Sequence, residues 1–180
     1  MLPKLRSCAT TFDAISVRED TGVDIFRNDL NRDDAVHVLD PTMLLDPTYY
    51  ETLCEGVNGG VPDGKDGFMY CLDMIPYMMC ILKGIPNMHL MNKTSKDVGH
   101  FLQGFSKCKY VVTDSFHGCV FSLIFNKPFV CIGNNMRGNA RFDSLLKLFK
   151  CQNRFIDQSK PLDLGLIKKL LSTPLGEEIA

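Results

Sequence analysis

Apolar runs of strand length alternate with segments of helical period along almost the whole chain, and that alternation predicts a parallel sheet covered by helices. Residues 12–17 read as a first strand, 20–28 as a short helix carrying Val23, Ile25 and Phe26, and 36–39 as a second strand ending at Asp40-Pro41. Proline closes such an element because it lacks a backbone N–H. After Asp46-Pro47 a helix over 48–54 leads into the Gly-rich residues 56–67, which read as an insertion or mobile loop. Strands are then predicted over 68–72 and 88–91, with a Met-rich helix over 77–83 between them and a helix over 95–107 after them. The clearest unit follows: a buried strand at 110–112, the turn Thr113-Asp114-Ser115, an apolar helix over 117–126 and a buried strand over 129–132. Two amphipathic helices, over 139–150 and 163–171, close the pattern and read as covering helices. The fold class is α/β, with a Rossmann-like parallel sheet of about five to six strands between helices.

Length and composition sharpen this picture in a few places. At 180 residues and 45% hydrophobic content, the chain suffices for one domain with its own core, so residues 1–180 are read as a single Rossmann-like domain. The net charge of -1 is spread without long runs, which argues against a nucleic-acid footprint. Eight cysteines contain no C-x-x-C pair and most sit in apolar segments, so they read as small buried hydrophobes of a reduced compartment. The first 14 residues lack a signal-peptide core, and no stretch approaches the roughly 20 apolar residues of a membrane span. The expectation is a soluble, cytoplasmic protein.

In open parallel sheets ligands bind beyond the carboxyl ends of the strands, where helix N-termini favour anions. Three polar clusters fall at such positions: residues 16–20, residues 113–118 and residues 133–141. Arg18 in the first either offers a bidentate pair to a carboxylate or phosphate, or pairs with Glu19 or Asp20 on the surface. His117 in the second sits at the mouth of a buried helix, where the dipole would lower its pKa; the alternative is a structural histidine capping the turn. Ser115 is either a phosphate donor or an N-cap, and Gly118 permits either backbone approach to a ligand or tight packing of helix on strand. Arg137 and Arg141 in the third cluster would share a helix face if the helix began early. His37, His89 and His100 have no partners at ligand spacing and read as structural.

Several enzyme classes lack their mechanical parts. The chain has no G-x-G-x-x-G, no Gly-rich loop ending in Gly-Lys-Ser/Thr, no G-x-S-x-G and no H-E-x-x-H. Residue-level reasoning therefore stops at an anion-binding α/β domain.

Three stretches carry a resemblance further: AISVREDTGVDIF at 14–26, VLDPTMLLDP at 38–47, and YVVTDSFHGCVFSLIFNKPFVCIG at 110–133 followed by RGNARFDSLLKLF at 137–149. Their sequence, order and separation resemble the polysaccharide pyruvyl transferase family. The resemblance implies a GT-B-like enzyme of two Rossmann-like halves, of which this chain is similar to the C-terminal one, with a separate N-terminal half as a partner. It also implies transfer of a pyruvyl group from phosphoenolpyruvate to a sugar or lipid-linked glycan acceptor in exopolysaccharide or cell-envelope synthesis, with no metal or organic cofactor. A lipid-linked acceptor would bring peripheral membrane association. Residue by residue, the implied donor site takes Arg18 from the first motif and, in place of an Arg-Leu-His triplet, Ser115, Phe116 and His117. The triplet arginine is thus missing, and Arg141 is the expected replacement. His117 is the expected general acid/base; Arg18, Ser115, Phe116, Gly118 and Arg141 are the expected substrate contacts. Two other readings stay open: a GT-B-like nucleotide-sugar glycosyltransferase, and an inactive anion-binding fragment.

Overall fold

A computed structural model describes residues 1–57, 61–62, 64–92, 98–133 and 138–176. Its centre is a five-stranded, all-parallel sheet of β3 (Gly67–Cys71), β4 (Met88–Asn92), β5 (Tyr110–Thr113), β6 (Phe129–Gly133) and β7 (Phe155–Asp157), in the order β4-β3-β5-β6-β7. Counted from β3, that is the doubly wound order 2-1-3-4-5, whose direction reverses between its first and third strands. Helices α4 (Pro76–Gly84), α5 (Val98–Lys107), α6 (Phe116–Ile124) and α7 (Ala140–Leu148) make the crossovers, and α8 (Leu164–Ser172) follows β7. Right-handed crossovers put α4 on the opposite face from α5, α6 and α7 because it runs to the other side of β3.

The period-2 geometry of a strand explains how so apolar a sheet builds two cores. Phe68, Val111, Phe129 and Cys131 point to the face covered by α5, α6 and α7, where they meet Phe105, Val120, Phe142 and Leu146. Their neighbours Met69, Val112, Val130 and Ile132 point to the other face and meet Met78 and Ile81 of α4 with Ile167 and Leu170 of α8. Both faces are dry, which is why these strands read as continuous apolar runs rather than alternating ones.

The N-terminal part departs from the sequence expectation. β1 is only Ser16–Val17 and β2 only Val36–His37; they pair in parallel with each other and form a separate two-stranded sheet. Ahead of them lies α1 (Leu2–Ala9), unforeseen because Ala9 alone of its residues is buried. Between them runs α2 (Asp20–Leu30), without a buried residue, and after them a 3-10 turn at Pro41–Leu44 and α3 (Pro47–Thr52). β7 was also missed, since three half-buried residues after a 3-10 turn leave no periodic signal. The helix start expected at residue 95 lies outside the described residues.

Five of the eight cysteines, Cys71, Cys108, Cys119, Cys131 and Cys151, are buried. Among the described residues no helix is long and apolar enough to cross a membrane, and no group of three or more His, Cys, Asp or Glu side chains could hold a metal ion.

Candidate active site

A cleft of about 390 Å³ opens beyond the carboxyl ends of β3, β4 and β5, lined among others by Tyr70, Met91, Ser115, Phe116, His117 and Arg141. It therefore stands at the point where the strand order reverses, between β3 and β5.

The turn between β5 and α6 is tied to the end of β3 by a set of short hydrogen bonds. Thr113 donates its hydroxyl to the Tyr70 carbonyl at 2.7 Å and accepts the Ser115 N–H at 3.1 Å. The buried Asp114 carboxylate accepts the Leu72 and Asp73 N–H groups at 2.6 and 3.0 Å. Burial is the main cause that pushes the Asp114 carboxyl up, against those two bonds. Ser115 is the N-cap of α6, its hydroxyl accepting the Gly118 N–H at 3.4 Å. A side chain at Gly118 would stand 2.2 Å from Thr113 Oγ1, so the glycine serves the close seating of α6 on β5. Of the alternatives open for these residues, the cap and the tight packing are the ones the geometry displays.

His117 follows in the first turn of α6, half-exposed at the cleft mouth. Its pKa is lowered, in the expected direction but with burial rather than the helix dipole as the largest cause; Arg18 and Arg141 add to the lowering and Asp40 opposes it. Arg18, directly after β1, does not pair with Glu19 or Asp20. It donates from Nη1 to Asp40 Oδ2 at 3.1 Å, and its guanidinium lies 4.8 Å from the centre of the Phe116 ring. Asp20 is engaged instead by Ser144, at 2.7 Å, and by Lys147 at 3.6 Å. Arg141 stands in the first turn of α7, where a cation works against the helix dipole. Its Nε is buried with no hydrogen-bond partner among the described residues, and its guanidinium lies 5.2 Å from the Phe142 ring. Arg137, also considered from sequence, lies outside the described residues. His37 sits beside the site with Nε2 3.2 Å from the Arg18 carbonyl.

Asp40 is the residue that sequence reasoning passed over. It is 5% exposed and caps the 3-10 turn, its Oδ1 accepting the Thr42 N–H at 3.1 Å and the Thr42 hydroxyl at 2.7 Å. Its Oδ2 faces Arg18 at 3.1 Å and His117 Nε2 at 3.8 Å. Burial alone would push this carboxyl up, but the bonds from Thr42 and Arg18 and the nearby imidazole outweigh it and hold it below the usual carboxylate range. The available signal was its place: an Asp-Pro-Thr run directly after a strand, inside one of the three recognised motifs.

With Arg18, Asp40 and His117 gathered from three separate motifs, the likeness can be tested on the chain as a whole. A family model described as polysaccharide pyruvyl transferase matches residues 2–136. The chain belongs to the polysaccharide pyruvyl transferase family. No curated protein and no solved structure matches the chain. The matched span contains Arg18, Asp40 and the Ser115 to Gly118 turn, whereas Arg141 lies beyond it and lines the cleft. Membership makes transferase activity the expected chemistry, with a sugar or polysaccharide as substrate.

Proposed function

We infer that the cleft binds phosphoenolpyruvate and that the chain serves as the donor-binding, Rossmann-like half of a pyruvyl transferase whose acceptor is a sugar of a surface glycan. The observation that carries this reading is the gathering of the Arg18 and Arg141 guanidiniums about the His117 imidazole, with the buried Asp40 carboxylate facing Arg18 and His117, beside the sheet's switch point. That surplus of cationic groups suits a small ligand bearing both a carboxylate and a phosphate. Arg141 lines the cleft, and Arg18, which packs on the cleft residue Phe116, engages Asp40 through Nη1 and leaves the rest of its fork to an anion. Apart from Gly118, whose N–H is capped by Ser115, the first N–H groups of α6 have no partners within the helix and add to the anion-binding character.

The reaction adds a sugar hydroxyl to the enol carbon of phosphoenolpyruvate while the methylene takes up a proton and becomes a methyl group. A second hydroxyl then closes on the same carbon, phosphate departs, and the cyclic pyruvyl ketal remains. His117, kept largely uncharged at neutral pH by burial and two arginines, is the proton carrier for these steps. Ser115 is spent as a helix cap, so the charge that an arginine would bring at this triplet comes from Arg141 and Arg18.

Calorimetry with phosphoenolpyruvate on this chain tests the binding assignment. Hydrogen bonds to charged groups contribute about 1.5–3 kcal/mol each, so Arg18→Ala should weaken affinity about tenfold or more. His117→Asn should leave affinity nearly unchanged yet slow phosphate release by the assembled enzyme roughly a hundredfold. Unchanged affinity in the first variant with normal turnover in the second would defeat the reading. A nucleotide sugar that raises the melting temperature where phosphoenolpyruvate does not would favour a glycosyltransferase instead.

A further inference from the structure

We propose that Asp40 is the positioning residue of this site, a shared carboxylate that holds the His117 imidazole and the Arg18 guanidinium in one constellation. Three observations converge on it. The carboxylate is almost fully removed from solvent, at 5% exposure, yet it stays ionised because both its oxygens are engaged. The division of labour between those oxygens is complete: Oδ1 is locked by the Thr42 N–H and hydroxyl, and Oδ2 alone faces the Arg18 guanidinium and the His117 imidazole. The support behind it is itself anchored, since the Tyr50 hydroxyl donates to the Thr42 carbonyl at 2.7 Å and the Tyr50 ring packs edge-on against Phe121 of α6. The same helix that presents His117 therefore braces the turn that presents Asp40.

This arrangement has a chemical consequence. With Nε2 facing Asp40, a neutral His117 carries its proton on that nitrogen, and Nδ1, pointing away from the carboxylate, keeps the lone pair. When the ring takes up a proton during turnover, the imidazolium forms beside a negative charge already in place. The 3.8 Å separation is longer than a hydrogen bond, as catalytic pairs often are before substrate draws them together. The charged groups facing His117 are Arg18 from the segment after β1, Arg141 from α7 and Asp40 from the 3-10 turn; Tyr50 of α3 faces Asp40 from behind. Asp40 is the member of that set whose charge favours the imidazolium. For Arg18 the carboxylate is both an anchor and a competitor for the ligand's charge, so its removal has opposing effects on donor affinity.

The inference rests on His117 and Arg18 being the working groups proposed above, but its first test does not need phosphoenolpyruvate. In Asp40→Asn the side chain keeps its shape and loses its charge. Nuclear magnetic resonance titration of the His117 ring in the full chain should then show the imidazole losing its proton at lower pH than in the parent. In the assembled enzyme the acid limb of the turnover profile should move the same way, with kcat falling at least tenfold and KM for phosphoenolpyruvate changing by less than about threefold. A residue that only stabilises the fold would lower the melting temperature and leave both titrations where they were. Should Asp40→Asn fail to fold, Thr42→Val removes the hydroxyl that fixes Oδ1 without touching a charge. It should move the His117 titration part of the way in the same direction. A His117 titration unchanged in a folded Asp40→Asn, or in Thr42→Val where that is the variant available, overturns the proposal. A parent chain that ignores phosphoenolpyruvate while its His117 responds to Asp40 would sink the donor assignment and leave the positioning role standing.

Discussion

Replacing Gly118 with alanine isolates the contact that seats α6 on β5, and its sign is not the usual one. Glycine inside a helix normally costs about 1 kcal/mol relative to alanine, so the exchange ought to stabilise. Here the new Cβ would lie 2.2 Å from Thr113 Oγ1 and 2.8 Å from Thr113 Cβ, and ordinary contact begins near 3.4 Å, so helix or strand must retreat by about 1.2 Å. Overpacking of this kind costs about 1–3 kcal/mol. Thr113 cannot swing clear cheaply, because its Oγ1 joins the Tyr70 carbonyl to the Ser115 N–H, and each of those bonds contributes about 1 kcal/mol. Against the helix gain, the net loss is about 2–4 kcal/mol. For a chain of this length that lowers the melting temperature by roughly 4–16 °C. Urea unfolding followed by circular dichroism gives the free energy, and a thermal scan gives the shift. An alanine variant as stable as the parent would mean that the helix does not rest on Thr113, and the local account of the site's base would be wrong.

Two other perturbations probe the scaffold. Arg154 is fully buried, with Nη1 and Nη2 donating to the carbonyls of Phe129, Leu170, Thr173 and Pro174 at 2.8–3.3 Å; Arg154→Met should cost about 3–5 kcal/mol in denaturant unfolding by stranding those acceptors. Brief treatment of the native protein with iodoacetamide at pH 7.5, read by mass spectrometry, should label the exposed Cys8 and Cys80 and spare Cys71 and Cys108, whose thiols burial pushes up to about 11 and about 12.

Much of the architecture was written in the chain, because a doubly covered parallel strand demands apolar side chains on both faces and leaves a continuous run that polar neighbours cannot hide. The runs at Phe68, Tyr110 and Phe129 all fall within strands of the sheet, and the intervening helices differ from expectation mainly at their ends. Where packing is one-sided the signal failed. β1 and β2 each hold two residues and pair with each other, so the first two predicted strands do not join the main sheet. β7 is three half-buried residues at an edge, and it is fixed by pairing with β6 rather than by any pattern of its own.

The site was legible to a different depth. The positions of Arg18, Ser115 and His117 beyond strand ends follow from local pattern, because the turn after a parallel strand is where backbone N–H groups collect. Their mutual arrangement does not, since the group that joins them is distant in sequence from both Arg18 and His117. A carboxylate 22 residues from Arg18 leaves no spacing to recognise, while Glu19 and Asp20 stood next to it and offered a simpler pairing. Asp40 was also disguised by its second duty. Followed by Pro41 and Thr42, it reads as an ordinary cap of a short turn, and it is one, through Oδ1. Only tertiary structure gives Oδ2 its two partners: the pairing of β1 with β2 brings Arg18 to it, and the placement of α6 over that turn brings His117. A cap fixes a carboxylate in one rotamer at little cost, and a fixed carboxylate is what an imidazole needs beside it. The turn chemistry that concealed Asp40 in the sequence is thus the same chemistry that fits it for the site.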